Sequence, residues 1–217
     1  MAAPRTLKVE GKMEIYLIRH GECTPPCESN YDPNLRAANG PLTARGIRQA
    51  HALKQRLAGV SFDAVFSSDL LRAKETARIL CEKTGTVPVY SEAFREIDMG
   101  LVAYRPWSDF PKEYRKWALH EEDLPYPQGE NGEAVARRFF AQLNKFAQNG
   151  HSRIAIVCHG GMIRCAVCGV LGLPQQRRFL LGDPVENCSI TVVKHNPKTG
   201  EYRLQSFNDA AHLAGIF

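Results

Sequence analysis

The sequence predicts an α/β protein, a three-layer α/β/α sandwich with a mostly parallel central sheet and an antiparallel edge. The first observation behind this is a pair of matched corners. The apolar runs Ile15-Tyr16-Leu17-Ile18 and Ile154-Ala155-Ile156-Val157 stop abruptly at Arg19-His20-Gly21-Glu22 and Cys158-His159-Gly160-Gly161. Unalternating apolar runs suit strands buried on both faces, and glycine lets the backbone turn or approach a ligand closely. The second observation is that strand-like and helix-like periodicities alternate between the two corners. The third is a returning pair near the end. Ser189 to Lys194 alternates, Asn196-Pro197-Lys198-Thr199-Gly200 turns, and Tyr202 to Phe207 comes back as the second strand of an edge hairpin.

Taken in order, Pro41-Leu42-Thr43-Ala44-Arg45-Gly46 opens an amphipathic helix with apolar positions Ile47, Ala50, Leu53 and Leu57. Thr43 is its N-cap, and Gly59 closes it. Ala64-Val65-Phe66-Ser67-Ser68 reads as a buried strand, and a helix from Ser68 or Asp69 to Cys81 carries Arg72 in its first turns, beside a strand end. After an extended Val87 to Tyr90, Phe94 to Gly100 leads into an aromatic-rich region, and Asn131 to Phe146 forms the helix before the second corner. Ligands of open α/β sheets bind outside the carboxyl ends of the strands. If the two His-Gly corners lie on neighbouring strands, two imidazoles and an arginine could therefore converge on one anionic group.

Composition allows this architecture without choosing it. The 217 residues are 44% hydrophobic and 24% charged, ordinary values for a globular chain. A chain of this size buries about 70% of its unfolded surface. Neither a repeat nor a composition shift marks a boundary, so a single domain over 1–217 is expected. No apolar stretch reaches the roughly 20 residues of a membrane span, and Met1 to Lys12 lacks the hydrophobic run of a signal peptide. A soluble cytoplasmic protein with no membrane partner is the expectation. The seven cysteines, odd in number, read as reduced thiols. Cys165-x-x-Cys168 falls on one face of a helix and reads as buried apolar surface. Cys23 and Cys27, which lack a spacing of that kind, make a poor second half for a thiolate metal site. The net charge of +5 and pI of 8.8 suit an anionic substrate, but equally a mildly basic solvated surface. No basic run with interleaved aromatics suggests nucleic acid, and Arg137-Arg138 and Arg177-Arg178 are expected on exposed helix faces. The sequence does not specify an oligomeric state, and a homodimer is compatible with it.

Further motifs fall in a recognisable order: Arg19-His20-Gly21-Glu22, Pro41-Leu42-Thr43-x-x-Gly46, Ser67-Ser68-Asp69-Leu70-x-Arg72-Ala73-x-x-Thr76-Ala77, Glu96-x-x-x-Gly100, Gly129-Glu130, His159-Gly160-Gly161 and Asn208-Asp209-x-x-His212. Over roughly Met13 to Leu213 this set resembles the histidine phosphatase superfamily, the phosphoglycerate mutase-like proteins. The resemblance implies that His20 is a nucleophile forming a phosphohistidine that water hydrolyses. It also implies that Arg19, Arg72 and His159 grip the phosphoryl oxygens and that Glu96 is the proton donor and acceptor. Gly21 and Gly160 would help form the phosphate site. In many relatives a polar residue about six positions past the histidine holds phosphate. Here Thr24, Ser29 or Asn30 takes that part, with Thr24 and Asn30 carried as candidates. Asp98, two residues from Glu96 and on the opposite side of an extended segment, is the rival carboxylate and is read as a supporting or turn residue.

Phosphoglycerate mutases carry a longer insertion and a Glu-Arg-His-Tyr-Gly segment where this chain has Glu96-Ile97-Asp98-Met99-Gly100, which favours a phosphatase. The Pro41 to Gly46 and Asn208 to His212 segments are similar to small-molecule phosphatases, including α-ribazole phosphatases. The insertion at about 101–128, with Tyr104, Arg105, Trp107, Phe110, Tyr114, Trp117 and Tyr126, is the candidate substrate cover, although any one aromatic could simply pack a helical cap. Metal binding by His20, Glu22 and His159 is disfavoured by the neighbouring arginines and by the lack of a His-x-x-x-His helix. Neither a metal nor a cofactor is expected. The reading is therefore a metal-independent phosphomonoesterase acting on a small phosphate ester. The alternatives are a mutase-type phosphotransferase and a non-catalytic phospholigand-binding protein.

Overall fold

The structure, a computed structural model, describes residues 12–216 other than Cys27, Lys83, Tyr104, Gln148 and Asp183. The expectations for the leader segment, Cys27 and Tyr104 thus lie outside the described residues. The chain runs through β1 (Met13–Arg19), β2 (Tyr31–Asp32), β3 (Ala37–Ala38), α1 (Ala44–Arg56), β4 (Ala64–Ser67), α2 (Leu71–Cys81) and β5 (Val89–Tyr90). It continues through α3 (Pro111–Leu119), α4 (Gly132–Ala147), β6 (Arg153–Cys158), α5 (Gly160–Leu171), β7 (Ile190–Asn196) and β8 (Glu201–Asp209).

Six strands form one sheet in the order β5-β4-β6-β1-β7-β8, while β2 and β3 form a separate small hairpin. The four strands β5, β4, β6 and β1 are mutually parallel, and β7 and β8 supply the antiparallel edge. The two corner strands are direct neighbours, with Ile15 opposite Ile154 and Arg19 opposite Cys158. Their lack of alternation has the expected cause. On β6, Ile154, Ile156 and Cys158 enter a core with Phe139, Leu143 and Met162 of α4 and α5. Ala155 and Val157 face Ala50, Leu53, Ala73 and Ala77 of α1 and α2 on the other side. Both faces are covered, so apolar side chains are needed in both directions. The Phe66 and Phe146 rings stack at 3.8 Å between centroids within the first core.

Several local expectations shift. The α1 N-cap is Thr43, whose hydroxyl accepts from the Gly46 amide at 3.0 Å. The buried face of α1, however, is Gly46, Gln49, Ala50 and Leu53, and Ile47 is 43% exposed, because the helix packs more tightly at its glycine than at its first large apolar residue. Helix α2 starts at Leu71, later than expected. Its Leu71 amide is held by Asn39 Oδ1 at 2.7 Å, the Ser68 hydroxyl accepts from the Leu70 amide and meets His159, and Asp69 is drawn into a paired contact with Arg95. The Val87 to Tyr90 segment yields only the two-residue β5.

The arginine pairs are not both surface groups. Arg137 and Arg177 are exposed, but Arg178 is 5% exposed and paired with Asp123 at 2.6 Å. Arg138 is tied to Glu130 and to the Ala93 and Glu96 carbonyls. A partly buried acid answers the buried Arg178 and the half-buried Arg138, so adjacent arginines split between solvent and interior. Cys165 and Cys168 are both buried on α5, and burial pushes the Cys165 thiol up to about 12.

Thr43→Ala should cost about 1 kcal/mol of stability through loss of the cap. Ile47→Ala should stay within about 0.5 kcal/mol, as for an exposed site. Urea denaturation of the two variants checks the reassigned helix face.

Candidate active site

The sheet register determines which groups meet. His20 and His159 each follow a strand end, the His20 amide bonds the Cys158 carbonyl at 3.0 Å, and the two rings lie 5.0 Å apart between centroids. Both are buried, at 6% and 0% exposure. Approach this close depends on small residues behind the corner. A Cβ on Gly21 would lie 2.6 Å from the Gly46 carbonyl oxygen, and one on Gly46 would lie 1.9 Å from the Glu22 carbonyl oxygen. The amino end of α1 therefore packs backbone to backbone against the turn after His20.

Hydrogen bonding selects the His20 tautomer. Nδ1 lies 2.7 Å from the Gly21 carbonyl oxygen, which can only accept, so Nδ1 carries the proton. Nε2 then keeps its lone pair and accepts from Arg72 Nε at 3.2 Å. Burial first, and then the Arg72 and Arg19 charges, hold the imidazole well below its ordinary 6.5, against the opposing pull of the Gly21 carbonyl. His159 is neutral for the same leading reason, with Arg72 and His20 adding to it. Its Nε2 meets the Ser68 hydroxyl at 2.9 Å, while Nδ1 is buried without a partner.

The guanidinium groups are positioned from the backbone. Arg72 donates to the Ala38 carbonyl at 2.6 Å, and its own carbonyl accepts from Thr76, whose hydroxyl in turn accepts from the Gly21 amide. Arg19 donates to the Val185 carbonyl, but its Nε is buried and unpartnered; Gly160 lies against that side chain. Buried donors without acceptors are costly. Arg19 precedes His20 in the chain, the His159 ring lies 5.0 Å from that of His20, and a bound oxyanion would satisfy the Arg19 Nε donor.

The Glu96 carboxylate caps α5. Its Oε2 accepts from the Gly161 amide at 3.0 Å, and its Oε1 from the Met162 and Ile97 amides, both at 2.9 Å. A Cβ on Gly161 would stand 2.6 Å from Oε1, so the second glycine of the corner is what admits this acid. The helix dipole favours an anion there; burial lowers the Arg72 pKa, and the Glu96 charge partly opposes that shift. Asp98 points elsewhere, to Arg36 Nε at 2.9 Å and to the Gly100 amide.

The Thr24 amide bonds Pro41, and its hydroxyl is buried and unpartnered beside Gly40, whereas the Asn30 amide nitrogen donates to the Pro25 carbonyl. Thr24 therefore offers a free polar atom, and the Asn30 amide is engaged by its own loop. Among the described residues, no three of His, Cys, Asp and Glu cluster closely enough to hold a metal ion.

Sequence reasoning missed several supports. Ser68 holds His159, Arg138 holds the Glu96 carbonyl, and Asn187 donates to the His20 carbonyl at 2.9 Å. Cys23 lies where the Arg72 and Arg19 charges reach it, although burial keeps its thiol raised. The Asn208-Asp209-x-x-His212 motif also acquires a role. Asn208, at φ 55°, bonds the Glu186 amide and the Pro184 carbonyl, and His212 bonds the Cys188 carbonyl. Together they brace the loop that contacts Arg19 and His20.

The profile of the histidine phosphatase superfamily (branch 1) matches residues 15–210. A relative from Yersinia pestis, named probable phosphoglycerate mutase GpmB, is 30% identical over 211 residues, covering 93% of this chain and 95% of its own. Among solved structures, mycobacterial glucosyl-3-phosphoglycerate phosphatase is 25% identical with a TM-score of 0.73, over 92% of this chain and 100% of that one. Phosphoserine phosphatase from Entamoeba histolytica is 25% identical with a TM-score of 0.74, over 93% and 99%. A candidate α-ribazole-5′-P phosphatase from Escherichia coli is 27% identical with a TM-score of 0.74, over 91% and 96%.

Both site imidazoles are neutral in the fold and free to bind protons once unfolded. The unfolded chain therefore takes up more protons as pH falls below about 6.5, and folding stability should fall with it. Thermal melts across pH should show this slope, and a His20→Asn/His159→Asn variant should flatten it.

Proposed function

The chain belongs to the histidine phosphatase superfamily (branch 1), and from that premise we propose that it is a metal-independent phosphomonoesterase acting on a small phosphorylated metabolite. The observation that carries this reading is the pairing of a neutral His20, its Nε2 lone pair directed at Arg72, with a separate carboxylate fixed at the amino end of α5. An anion-binding pocket needs the guanidinium groups but neither of those two features.

In the proposed reaction, His20 Nε2 attacks phosphorus. The P–N bond forms as the bond to the ester oxygen breaks, and Glu96 gives its proton to the departing alkoxide. Glu96 then takes a proton from water, whose oxygen attacks the phosphohistidine. The P–N bond breaks, phosphate leaves, and Nε2 recovers its lone pair. Arg19, Arg72 and His159 bind the equatorial oxygens throughout, and stabilising charge there is the main catalytic contribution in phosphoryl transfer. The segment 101–128 is proposed to cover the substrate. Phosphatase-named neighbours support the hydrolase reading. The relatives named as phosphoglycerate mutases support a second one, in which the phosphohistidine returns its phosphoryl group to an acceptor alcohol.

Purified protein assayed with EDTA against α-ribazole phosphate, sugar phosphates and phosphoglycerates should release phosphate. His20→Ala should abolish release, and Arg72→Ala should lower the rate by about 100-fold or more, equivalent to about 3 kcal/mol of barrier. Activity that requires a bisphosphorylated primer would establish the mutase instead. Normal binding without turnover would indicate a binding protein. Gly161→Ala, which pushes on Glu96 Oε1, should reduce kcat by about 10-fold to 100-fold with little change in KM.

A further inference from the structure

Glu96 lies in a segment with little secondary structure to hold it. From Glu96 to Met99 the chain is neither helix nor strand. Among the described residues, the amides of Glu96, Ile97 and Asp98 and the carbonyls of Glu96 and Ile97 make no backbone–backbone hydrogen bond. Backbone groups outside the ladders need other partners, and here side chains supply them. At the carboxylate end, the α5 amides of Gly161 and Met162 hold the acid. At the backbone end, Arg138 of α4 donates from Nη2 to the Glu96 carbonyl at 3.1 Å and from Nη1 to the Ala93 carbonyl at 2.8 Å. Glu130 completes the grip. Its carboxylate accepts from Arg138 Nε at 2.9 Å and Nη2 at 3.0 Å, and its Oε2 also takes the Asp98 amide at 3.0 Å. The Glu130 amide donates in turn to the Asp98 carbonyl at 2.8 Å. One ion pair thus binds the segment before, at and after Glu96.

This contact differs from a fully solvated salt bridge, whose contribution is small. The Arg138 and Glu130 side chains are 21% and 24% exposed, and they meet through two parallel hydrogen bonds. The two holds on Glu96 also respond differently to its protonation. The amino end of α5 attracts an ionised carboxylate, but a protonated one has lost the charge that the helix terminus favours. The grip on the backbone does not depend on that charge. While Glu96 carries the proton it is to give away, the Arg138–Glu130 pair is therefore the hold that stays at full strength.

We propose that Arg138 and Glu130 are positioning residues for proton donation by Glu96, and so set how poor a leaving group can be expelled. The assignment rests on the phosphomonoesterase reading above. In the step concerned, His20 Nε2 supplies the electron pair of the new P–N bond. The P–O bond breaks, and the alcohol oxygen keeps that pair and takes the Glu96 proton. A weakly acidic alcohol needs this proton, whereas 4-nitrophenol leaves as a stable anion without it.

With protein in excess over ester, the alcohol released in a single turnover reports this step apart from hydrolysis of the phosphohistidine. The esters would be 4-nitrophenyl phosphate and the fastest of glycerol 3-phosphate, glucose 6-phosphate and ribose 5-phosphate. Arg138→Lys keeps the charge but loses the fork, and Glu130→Gln keeps the shape but loses the charge. Each should lower the rate for the alkyl ester relative to that for 4-nitrophenyl phosphate by about 10-fold to 100-fold, with a larger change of the same sign in Glu96→Gln. An Arg138→Lys protein that fails to fold loses both rates alike, and Glu130→Gln then decides. A ratio unchanged in folded Glu130→Gln, with both esters slowed equally, would overturn the positioning role and leave the hydrolase reading intact. Wild-type protein that releases no alcohol from any of these esters would contradict the hydrolase reading and the proposal with it.

Discussion

A buried pocket that keeps two imidazoles uncharged beside two guanidinium groups is the constraint on which the rest of this structure depends. Desolvation and like charge act in the same direction on His20 and His159, both of which are driven well below the ordinary imidazole value. The parallel pairing of β1 with β6 creates this situation by bringing two strand ends, and the residues after them, to one point. Backbone carbonyls then settle what the side chains can do. The Gly21 carbonyl accepts from Nδ1 of His20, Ala38 orients Arg72, and Val185 orients Arg19, so Nε2 of His20 and the cations face one another with little rotational freedom.

Glycine placement is the second determinant. Gly46 allows α1 to abut the turn after His20, and Gly161 allows Glu96 to reach the amino end of α5. The same helix terminus thus follows the second histidine and holds the acid, which couples the position of Glu96 to that of His159. Gly129 and Glu130 extend this logic. A Cβ at Gly129 would lie 2.3 Å from the Asp98 carbonyl oxygen, and Glu130 receives both Arg138 and the Asp98 amide, fixing the loop that carries Glu96. The two carboxylates therefore diverge, with Glu96 held at the amino end of α5 and Asp98 bound to Arg36.

Much of this was legible in the sequence, because unalternating apolar strands, the Thr43 cap and the terminal hairpin are local patterns with local causes. The corners were expected to converge only if their strands were neighbours, and it is the pairing of β1 with β6 that brings them together. Tertiary partners were less visible. Arg138 and Arg178 resemble surface arginines until Glu130 and Asp123, distant from one or both in the chain, are brought beside them. Ser68 looks like a helix start, and its hydroxyl does accept from the Leu70 amide, but it also meets His159, 91 residues away. Ile47 satisfies helical periodicity and still faces solvent, because the close packing at Gly46 rotates the helix.

In the proposed reaction the neutral Nε2 of His20 becomes covalently phosphorylated. The most direct measurement is a rapid alkaline quench of wild-type protein during turnover of its preferred ester, followed by peptide mapping of the phosphorylated residue. Acid-labile phosphate should appear on the peptide containing His20, formed no slower than phosphate is released and absent from Arg72→Ala at the same time point. Turnover with no phosphorylated intermediate, or phosphate carried on His159 or a carboxylate instead, would contradict it.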